Sequence, residues 1–314
     1  MSKKILIIGS GIAGISASLK LNSYGFRSVI VDKGKFLGGR IATRELKIGK
    51  NSIFFFHGAQ FFIARHPSFK KIVIDGINNN YIKEYGNFLP SRYRGFPNMR
   101  NFLLNLSKNL DVSQNKKVIG LRPKNSKISI LTDTFNKWQI FDGVISTLPA
   151  PQNLLLMQEF PILKQTLLSA RYAPCIALMF SFDKENLNIP NYFDFYDKES
   201  ILSWMASGSN LCFWTAHTKD SYSSLNLQKS KVLLKNEILT EIRKIFSQYK
   251  DLPSINFHEL HIWKYAKVKK ISTGPQIDPK LPIAIAGDFM EGTNVESAFI
   301  SGEKAAKLIF NRLG

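Results

Sequence analysis

Three glycines near the start of the chain, Gly9, Gly11 and Gly14, stand in the spacing G-x-G-x-x-G. Glycines at these separations suit a pyrophosphate. The first permits a tight turn, the second lets the backbone come close to phosphate oxygens, and the third allows a helix to pack closely on a strand. Ile12 and Ala13 lie inside the motif and open the helix. The first N–H groups of a helix offer phosphates unpaired donors and a partial positive charge. Asp32, followed by Lys33, supplies a carboxylate that can accept from ribose hydroxyls. The flanking elements must hold these groups in place. Residues 5–8 are a continuous apolar run, as in a buried parallel strand; Ile12, Ile15 and Leu19 recur at helical spacing; Gly25 ends the helix; residues 29–31 form a second strand with Asp32 at its end. Strand, turn, helix, strand and acid together predict a bound dinucleotide. The plainer alternative is a glycine-rich turn with no ligand.

The next residues choose between dinucleotides. Gly38, Gly39 and Arg40 follow shortly after Asp32. A Gly-Gly-Arg at this place resembles flavoproteins of the amine oxidase superfamily, in which the glycines and the arginine pass close to the cofactor. A basic surface loop is the simpler reading. Residues 52–65 read SIFFFHGAQFFIAR, so His57, Gly58, Ala59 and Gln60 interrupt an aromatic run. A buried His and Gln must find partners. A flavin edge would supply them, as would ordinary core hydrogen bonds. Near the end, an apolar strand over 281–286 closes on Gly287-Asp288, and Gly292-Thr293-Asn294 leads into a helix over 295–312. Asp288 can accept from ribityl hydroxyls or order the pyrophosphate through water. The helix start at Val295, Glu296 and Ser297 would point at the flavin pyrimidine ring and stabilise its reduced, negative form. Glu296 and Glu303 also read simply as N-terminal-turn and surface acids.

Composition narrows the classes. With 314 residues, 44% hydrophobic and 12% aromatic, the chain has material for a full core in one large or two medium domains. No apolar run approaches the ~20 residues that span a bilayer. Met1 to Lys4 lead straight into the first strand, leaving no room for a signal peptide. Cys175 and Cys212 have no metal spacing and read as reduced core thiols, so a cytoplasmic setting and no metal are expected. The net charge of +20 fits nucleic acid, an anionic membrane or an anionic small substrate. The basic residues are scattered in pairs such as Lys70-Lys71, Lys116-Lys117 and Lys269-Lys270, as a composition rich in Ile, Asn, Lys and Phe would produce. Neither a nucleic-acid nor a membrane partner is expected, and nothing indicates an oligomeric state.

Between the two nucleotide-binding ends the chain changes character. A helix is expected over 68–78, strands or loops over a cleft at 81–95, and a helix over 97–110. Short strands follow at 117–120, 127–132 and 138–140, then an apolar strand at 142–149. A strand at 173–182, strand-like segments at 201–216, an amphipathic helix at 229–249 and an alternating strand at 258–268 then read as a sheet with a covering helix. The expected fold is α/β with an α+β insert: a Rossmann-like FAD-binding domain (residues 1–66, 97–165 and 263–314) and a discontinuous substrate domain built on an antiparallel sheet (residues 67–96 and 166–262).

Five stretches together resemble the renalase-type branch of the FAD-dependent amine oxidase superfamily, its bacterial members above all. They are GSGIAG at 9–14, GGRIATR at 38–44, FHGAQFF at 56–62, HIWKYA at 261–266 and AGDFMEGTNVESAFISG at 286–302. The resemblance implies a non-covalent FAD oxidase acting in NAD(P) repair. Such an enzyme oxidises the 2- and 6-dihydro isomers of NAD(P)H to NAD(P)+, with oxygen as acceptor and hydrogen peroxide as product. Its partners would be a small nicotinamide-type substrate and oxygen. Phe56 stands where bacterial members often carry an acid, and Ile262 where they carry a basic residue. Expected cofactor contacts are Gly9, Gly11, Ile12, Ala13, Gly14, Asp32, Lys33, Gly39, Arg40, His57, Gly58, Ala59, Gln60, Val118, Gly287, Asp288, Val295, Glu296 and Ser297. Expected catalytic residues are His57, Gln60, Phe61, Trp214, Trp263 and Tyr265. Phe61, Phe62, Trp204, Trp214, Trp263 and Tyr265 are candidates for aromatic walls, with core packing as the alternative for each. Arg65, Arg92, Arg94 and Lys264 are available for substrate phosphates. Two other readings stay open: amine oxidation or desaturation on the same scaffold, and a nucleotide-binding protein with a basic surface for nucleic acid.

Overall fold

The computed structural model describes residues 2–48, 51–183, 188–197, 199–208, 211–249 and 254–314. Two positions of the 201–216 stretch, 209 and 210, lie outside the described residues. The chain forms two compact units. Unit 1 comprises Met1–Ile41, Phe61–Tyr172 and Val268–Gly314; unit 2 comprises Ala42–Gln60 and Ala173–Lys267.

Unit 1 is built on β1 (Lys4–Ile8), β2 (Arg27–Val31), β7 (Asp111–Ser113), β11 (Gly143–Ser146) and β17 (Ile283–Ile285), in the spatial order β17-β11-β1-β2-β7. Every pairing in this sheet is parallel. Parallel neighbours need a crossover, and α1 (Ile12–Ser23) provides it between β1 and β2. The central strands are buried on both faces, which explains their unbroken apolar sequence. One face is covered by α1 and α9 (Val295–Leu313). These helices approach closely: the Ser16 hydroxyl donates to Phe299 O at 2.7 Å, and a Cβ on Gly302 would lie 2.2 Å from Ala13 O. β8 (Val118–Lys124), β9 (Lys127–Thr132) and β10 (Phe135–Phe141) form an antiparallel meander. With α4 (Ala150–Leu156) and α5 (Pro161–Ser169) they contribute to a core of Leu6, Ile8, Ile130, Val144, Phe160, Leu163 and Phe289. α2 (Pro67–Asn78), the hairpin β5 (Ile82–Glu84) and β6 (Tyr93–Gly95), α3 (Met99–Leu106) and the short α8 (Asp288–Glu291) complete the unit.

Unit 2 carries a sheet in the order β13-β14-β15-β12-β16: β13 (Tyr192–Asp194), β14 (Leu202–Ser207), β15 (Phe213–Thr218), β12 (Arg171–Phe182) and β16 (Ile255–Lys270). The pairings from β13 through β12 are antiparallel. α6 (Asp220–Asn226) follows β15, and α7 (Lys231–Phe246) lays Leu234, Ile238, Ile242 and Phe246 on a core with Phe180 and Trp214. A hairpin of β3 (Arg44–Ile48) and β4 (Asn51–Phe55) also belongs here.

Two boundaries differ from the sequence expectation. Residues 67–96 cluster with the nucleotide unit. Glu296 of α9 accepts from the backbone N–H of Arg65 and His66, Glu303 accepts from the Ser68 hydroxyl, and Phe69 meets Phe299. Residues 42–60 cluster with the sheet unit because Phe55 packs against Phe213 and Phe257.

Candidate active site

In unit 1 the turn between β1 and α1 has the form a diphosphate requires. Gly9 has φ +109°, a conformation that side chains disfavour. A Cβ on Gly14 would lie 2.0 Å from Gly9 O. Gly11 is different: its φ is −75° and its ψ 178°, and a Cβ there would meet no atom within 4 Å. Gly39 lies across from it, since a Cβ on Gly39 would stand 3.8 Å from Gly11 Cα, and Gly38 N donates to Ser10 O at 3.2 Å. Two bare stretches of backbone thus face each other beside the N-terminus of α1.

Asp32 is held by its neighbours. Its Oδ2 accepts from Ser10 N at 2.7 Å and Ser10 Oγ at 2.8 Å, its Oδ1 accepts from Gly34 N at 2.7 Å, and Gln114 Nε2 donates to Ser10 Oγ at 3.2 Å. The carboxylate borders a pocket of about 330 Å³ walled by Val31, Val118, Leu148 and Leu156. Lys33, whose Nζ donates to Gln152 Oε1 at 3.0 Å, lies at the same pocket. An apolar slot with one acid fits an adenine ring and its ribose. Arg40 meets Asp288 through two parallel bonds of 2.7 Å, Nη1 to Oδ2 and Nη2 to Oδ1. Burial opposes the charge on Arg40, but the adjacent carboxylate more than offsets it and holds the guanidinium above its ordinary range. The Tyr172 hydroxyl is pushed up by burial, with Asp288 adding to the effect and Arg40 working against it. Bare backbone, a helix N-terminus, an arginine and a ribose acid beside an apolar slot fit the ADP half of FAD.

In unit 2 a group of rings gathers around the backbone carbonyl of His57. Trp263 Nε1 donates to this oxygen at 2.9 Å, and His217 Nε2 lies 2.9 Å from it. A carbonyl only accepts, so His217 carries its proton on Nε2. The His57 and Trp263 rings stack at 5.4 Å, His261 meets Trp263 edge-on at 4.3 Å, and Trp204 lies 4.1 Å from His217. Burial pushes the His217 pKa down to about 3, against the opposing bond to His57 O, so the ring is neutral at physiological pH. Burial also lowers His261, which Glu259 partly counters. The Gln60 amide donates to Phe56 O, so Gln60 braces the loop that His57 begins. Tyr265 is half-buried two positions beyond Trp263 on β16, on the same face of the strand.

Unit 1 therefore holds the expected positions Gly9, Gly11, Ile12, Ala13, Gly14, Asp32, Lys33, Gly39, Arg40, Val118, Gly287, Asp288, Val295, Glu296 and Ser297, together with Phe61. His57, Gly58, Ala59, Gln60, Trp263 and Tyr265 lie in unit 2. Two expectations need correction. Trp214 is 0% exposed, lies among Phe180, Phe193 and Phe246, and donates to Leu211 O; it is a core residue with no face for a substrate. Phe62 is 3% exposed between Phe69 and Phe102 and is likewise core. The Glu296 carboxylate caps the start of α2 through Arg65 N and His66 N. Ser10, Gln114, Tyr172 and His217 join the site without being marked by the sequence motifs. Ser10 sits within the glycine motif, whereas an isolated His in the strand FWTAHT carries no local signal.

The geometry defines an FAD-dependent oxidoreductase with a Rossmann-like nucleotide unit. The chain belongs to the family described as flavin containing amine oxidoreductase, whose profile matches residues 94–310; residues 7–73 match an NAD(P)-binding Rossmann-like domain. Among curated proteins, 92 residues are 33% identical to part of the H(2)/formate:CoB-CoM heterodisulfide,ferredoxin reductase of Methanococcus maripaludis. A further 89-residue match, 29% identical, is to an iron-sulfur subunit of the CoB--CoM heterodisulfide reductase of Methanopyrus kandleri. These matches take in 28% and 26% of this chain and only 14% of each relative's length. Solved structures share the fold over the whole chain. Cyclohexylamine oxidase from Brevibacterium oxydans aligns with a TM-score of 0.78 at 10% identity, covering 100% of both chains. A redesigned putrescine oxidase, a triple mutant, aligns with a TM-score of 0.74 at 12% identity, covering 99% of both chains. At such identities the likeness establishes fold and no more.

Proposed function

We propose that this protein is a renalase-type oxidase that returns the 2- and 6-dihydro isomers of NAD(P)H to NAD(P)+. The balanced reaction takes one isomer, one oxygen molecule and one proton to NAD(P)+ and hydrogen peroxide. The observation that carries the reading is the ring cluster of unit 2, where Trp204, His217, His57, His261 and Trp263 gather and the innermost imidazole is neutral. A dihydropyridine becomes aromatic when it loses a hydride, so the driving force lies in the substrate. No strong base is required; the ring must be held flat and in place. Bound FAD supplies two-electron acceptance and return of the electrons to oxygen. The chain supplies the rest. Trp263 and Trp204 offer faces for stacking, and His217 and Trp263 fix the loop that carries His57 and Gln60. Arg92, set between Phe61 and Phe88 at 4.3 and 3.9 Å, and Arg94, 3.6 Å above Tyr85, offer guanidinium groups to phosphates, with Arg65 and Lys264 in reserve.

Amine oxidation is the second reading, favoured by the names of the fold relatives, a cyclohexylamine oxidase and a putrescine oxidase. It needs a neutral amine, hence a site that lowers an amine's pKa. The proposed setting is the cytoplasm, with a small nicotinamide-type substrate and oxygen as partners and neither nucleic acid nor membrane. Among the described residues no helix is long and apolar enough to cross a membrane. The test is anaerobic mixing of the holoenzyme with borohydride-reduced NAD+ isomers, followed by admission of air. Bleaching of the visible flavin band and then stoichiometric peroxide are expected. Turnover of simple amines well above that of the isomers would overturn the assignment in favour of amine oxidation.

A further inference from the structure

We propose that Tyr172 is a positioning residue for the diphosphate of the bound dinucleotide, acting through Arg40. Arg40 is a long side chain, and its guanidinium offers a rigid fork of N–H donors. Two of these donors go to Asp288 in the bidentate pair, which fixes one edge of the fork. Tyr172 addresses the rest. Its ring centroid lies 5.9 Å from Arg40 Cζ, its hydroxyl takes part in a side-chain hydrogen bond with Arg40, and the same hydroxyl accepts from Ala150 N at 3.4 Å. The tyrosine is itself anchored, since it packs against the core cluster that contains Phe160 and Phe289. Arg40 is thereby tied at its edge to α8 and over its plane to a ring seated on the core. A cation fixed in this way loses little freedom when an anion arrives, and preorganisation of this kind appears as affinity. Gly39 next to it faces the open backbone of Gly11, which puts Arg40 one residue from the expected path of the diphosphate.

The inference rests on the FAD reading of unit 1, and the test keeps the two apart. Dissociation constants are measured for FAD by flavin fluorescence and for ADP by competition, in the wild type, Tyr172→Phe, Tyr172→Leu, Arg40→Ala and the Arg40→Ala/Tyr172→Leu double variant. Tyr172→Leu is expected to weaken FAD and ADP by the same factor, about tenfold, and Tyr172→Phe by about threefold, with the apo melting temperature of Tyr172→Phe unchanged. In the Arg40→Ala background the effect of Tyr172→Leu should fall below about twofold, because a residue that acts through another is non-additive with it. If Arg40→Ala is insoluble, Arg40→Lys takes its place, since it keeps the ion pair and loses the planar fork. Unchanged affinities in both tyrosine variants, or a Tyr172→Leu factor that persists undiminished without the arginine, would overturn the role of Tyr172. A wild-type protein that binds neither FAD nor ADP would overturn the cofactor reading itself.

Discussion

Gly11 has φ −75° and ψ 178°, an extended backbone open to any residue, and a Cβ built on it would meet nothing within 4 Å. Nothing in the fold of the apo protein therefore calls for glycine there. The requirement comes from what occupies the space. The perturbation that isolates it is Gly11→Ala. Replacing Gly by Ala at a compatible conformation stabilises by about 0.4–1 kcal/mol through the unfolded chain. Gly11 is also the N-cap of α1, where Ala is less favoured than Gly, which takes back a few tenths. The two nearly cancel, so the apo protein should melt within about 2 °C of the wild type. With FAD the outcome is different. At a ligand concentration near 100 times Kd, binding adds about 2.7 kcal/mol to stability. A methyl placed where the diphosphate lies against bare backbone is expected to cost at least tenfold in affinity, or about 1.4 kcal/mol. The assay is thermal unfolding with and without FAD, together with a direct FAD titration. The variant should lose at least half of the FAD-induced rise and none of the apo stability. Gly14→Ala serves as the contrast: its Cβ would stand 2.0 Å from Gly9 O, so the apo protein itself should be strongly destabilised. If Gly11→Ala binds FAD as tightly as the wild type, or if it destabilises the apo protein as Gly14→Ala does, the placement of the diphosphate at this turn is wrong.

Three further outcomes are expected. His217 is held neutral with its pKa down to about 3, below the ordinary value of 6.5 that it regains on unfolding, so the unfolded chain binds the extra proton between those values. Its contribution is whole above about pH 6.5 and falls by about 1.4 kcal/mol per unit as pH drops towards 3; His217→Gln, which keeps a donor, should flatten the pH dependence of urea-unfolding free energy over that window by one proton. Trp214→Ala should cost about 3–5 kcal/mol in urea unfolding, as a large core truncation does, while the surviving holoenzyme keeps its substrate preference; a switch in preference would return Trp214 to the site. Trp263→Phe removes one of the two groups held to His57 O. It should raise KM for the dihydronicotinamide isomers with FAD affinity unchanged, and equal losses in both would place Trp263 in the cofactor site instead.

The parts of the fold that are legible in the sequence are those whose cause is local. The turn at 9–14 needs contiguous glycines, and β1 and β2 need unbroken apolar runs because a parallel sheet buries both faces. α7 shows its stripe, and Asn294 and Ser230 cap the helices they precede. α4 and α5 are harder to read. Pro161 at the first position of α5 is a helix-start signal, but both helices are short and follow directly on the strand that Pro149 closes. Residues 67–96 fall in the nucleotide unit for a non-local reason. Their ties run through Glu296 and Glu303, more than 200 positions away.

The two halves of the chemistry differ in the same way, and the cause is physical. A diphosphate is met by backbone N–H groups and by the absence of side chains, so its site must be written in consecutive residues. A flat ring is met by the faces of side chains, which a sheet collects from strands remote in sequence. Trp204 stands opposite His217 on β14 and β15, while His57 and Trp263 reach the same carbonyl from segments 206 positions apart. None of these pairings leaves a spacing to be found, and Trp214, on the same strand as His217, falls on the opposite face and into the core. Alternation along β15 decides that His217 faces the carbonyl of His57 while Trp214 faces α7. Substrate choice in such a scaffold can then change by single substitutions on the sheet, at Phe56 beside His57 or Ile262 beside Trp263, while the dinucleotide cradle and its sequence motif stay as they are.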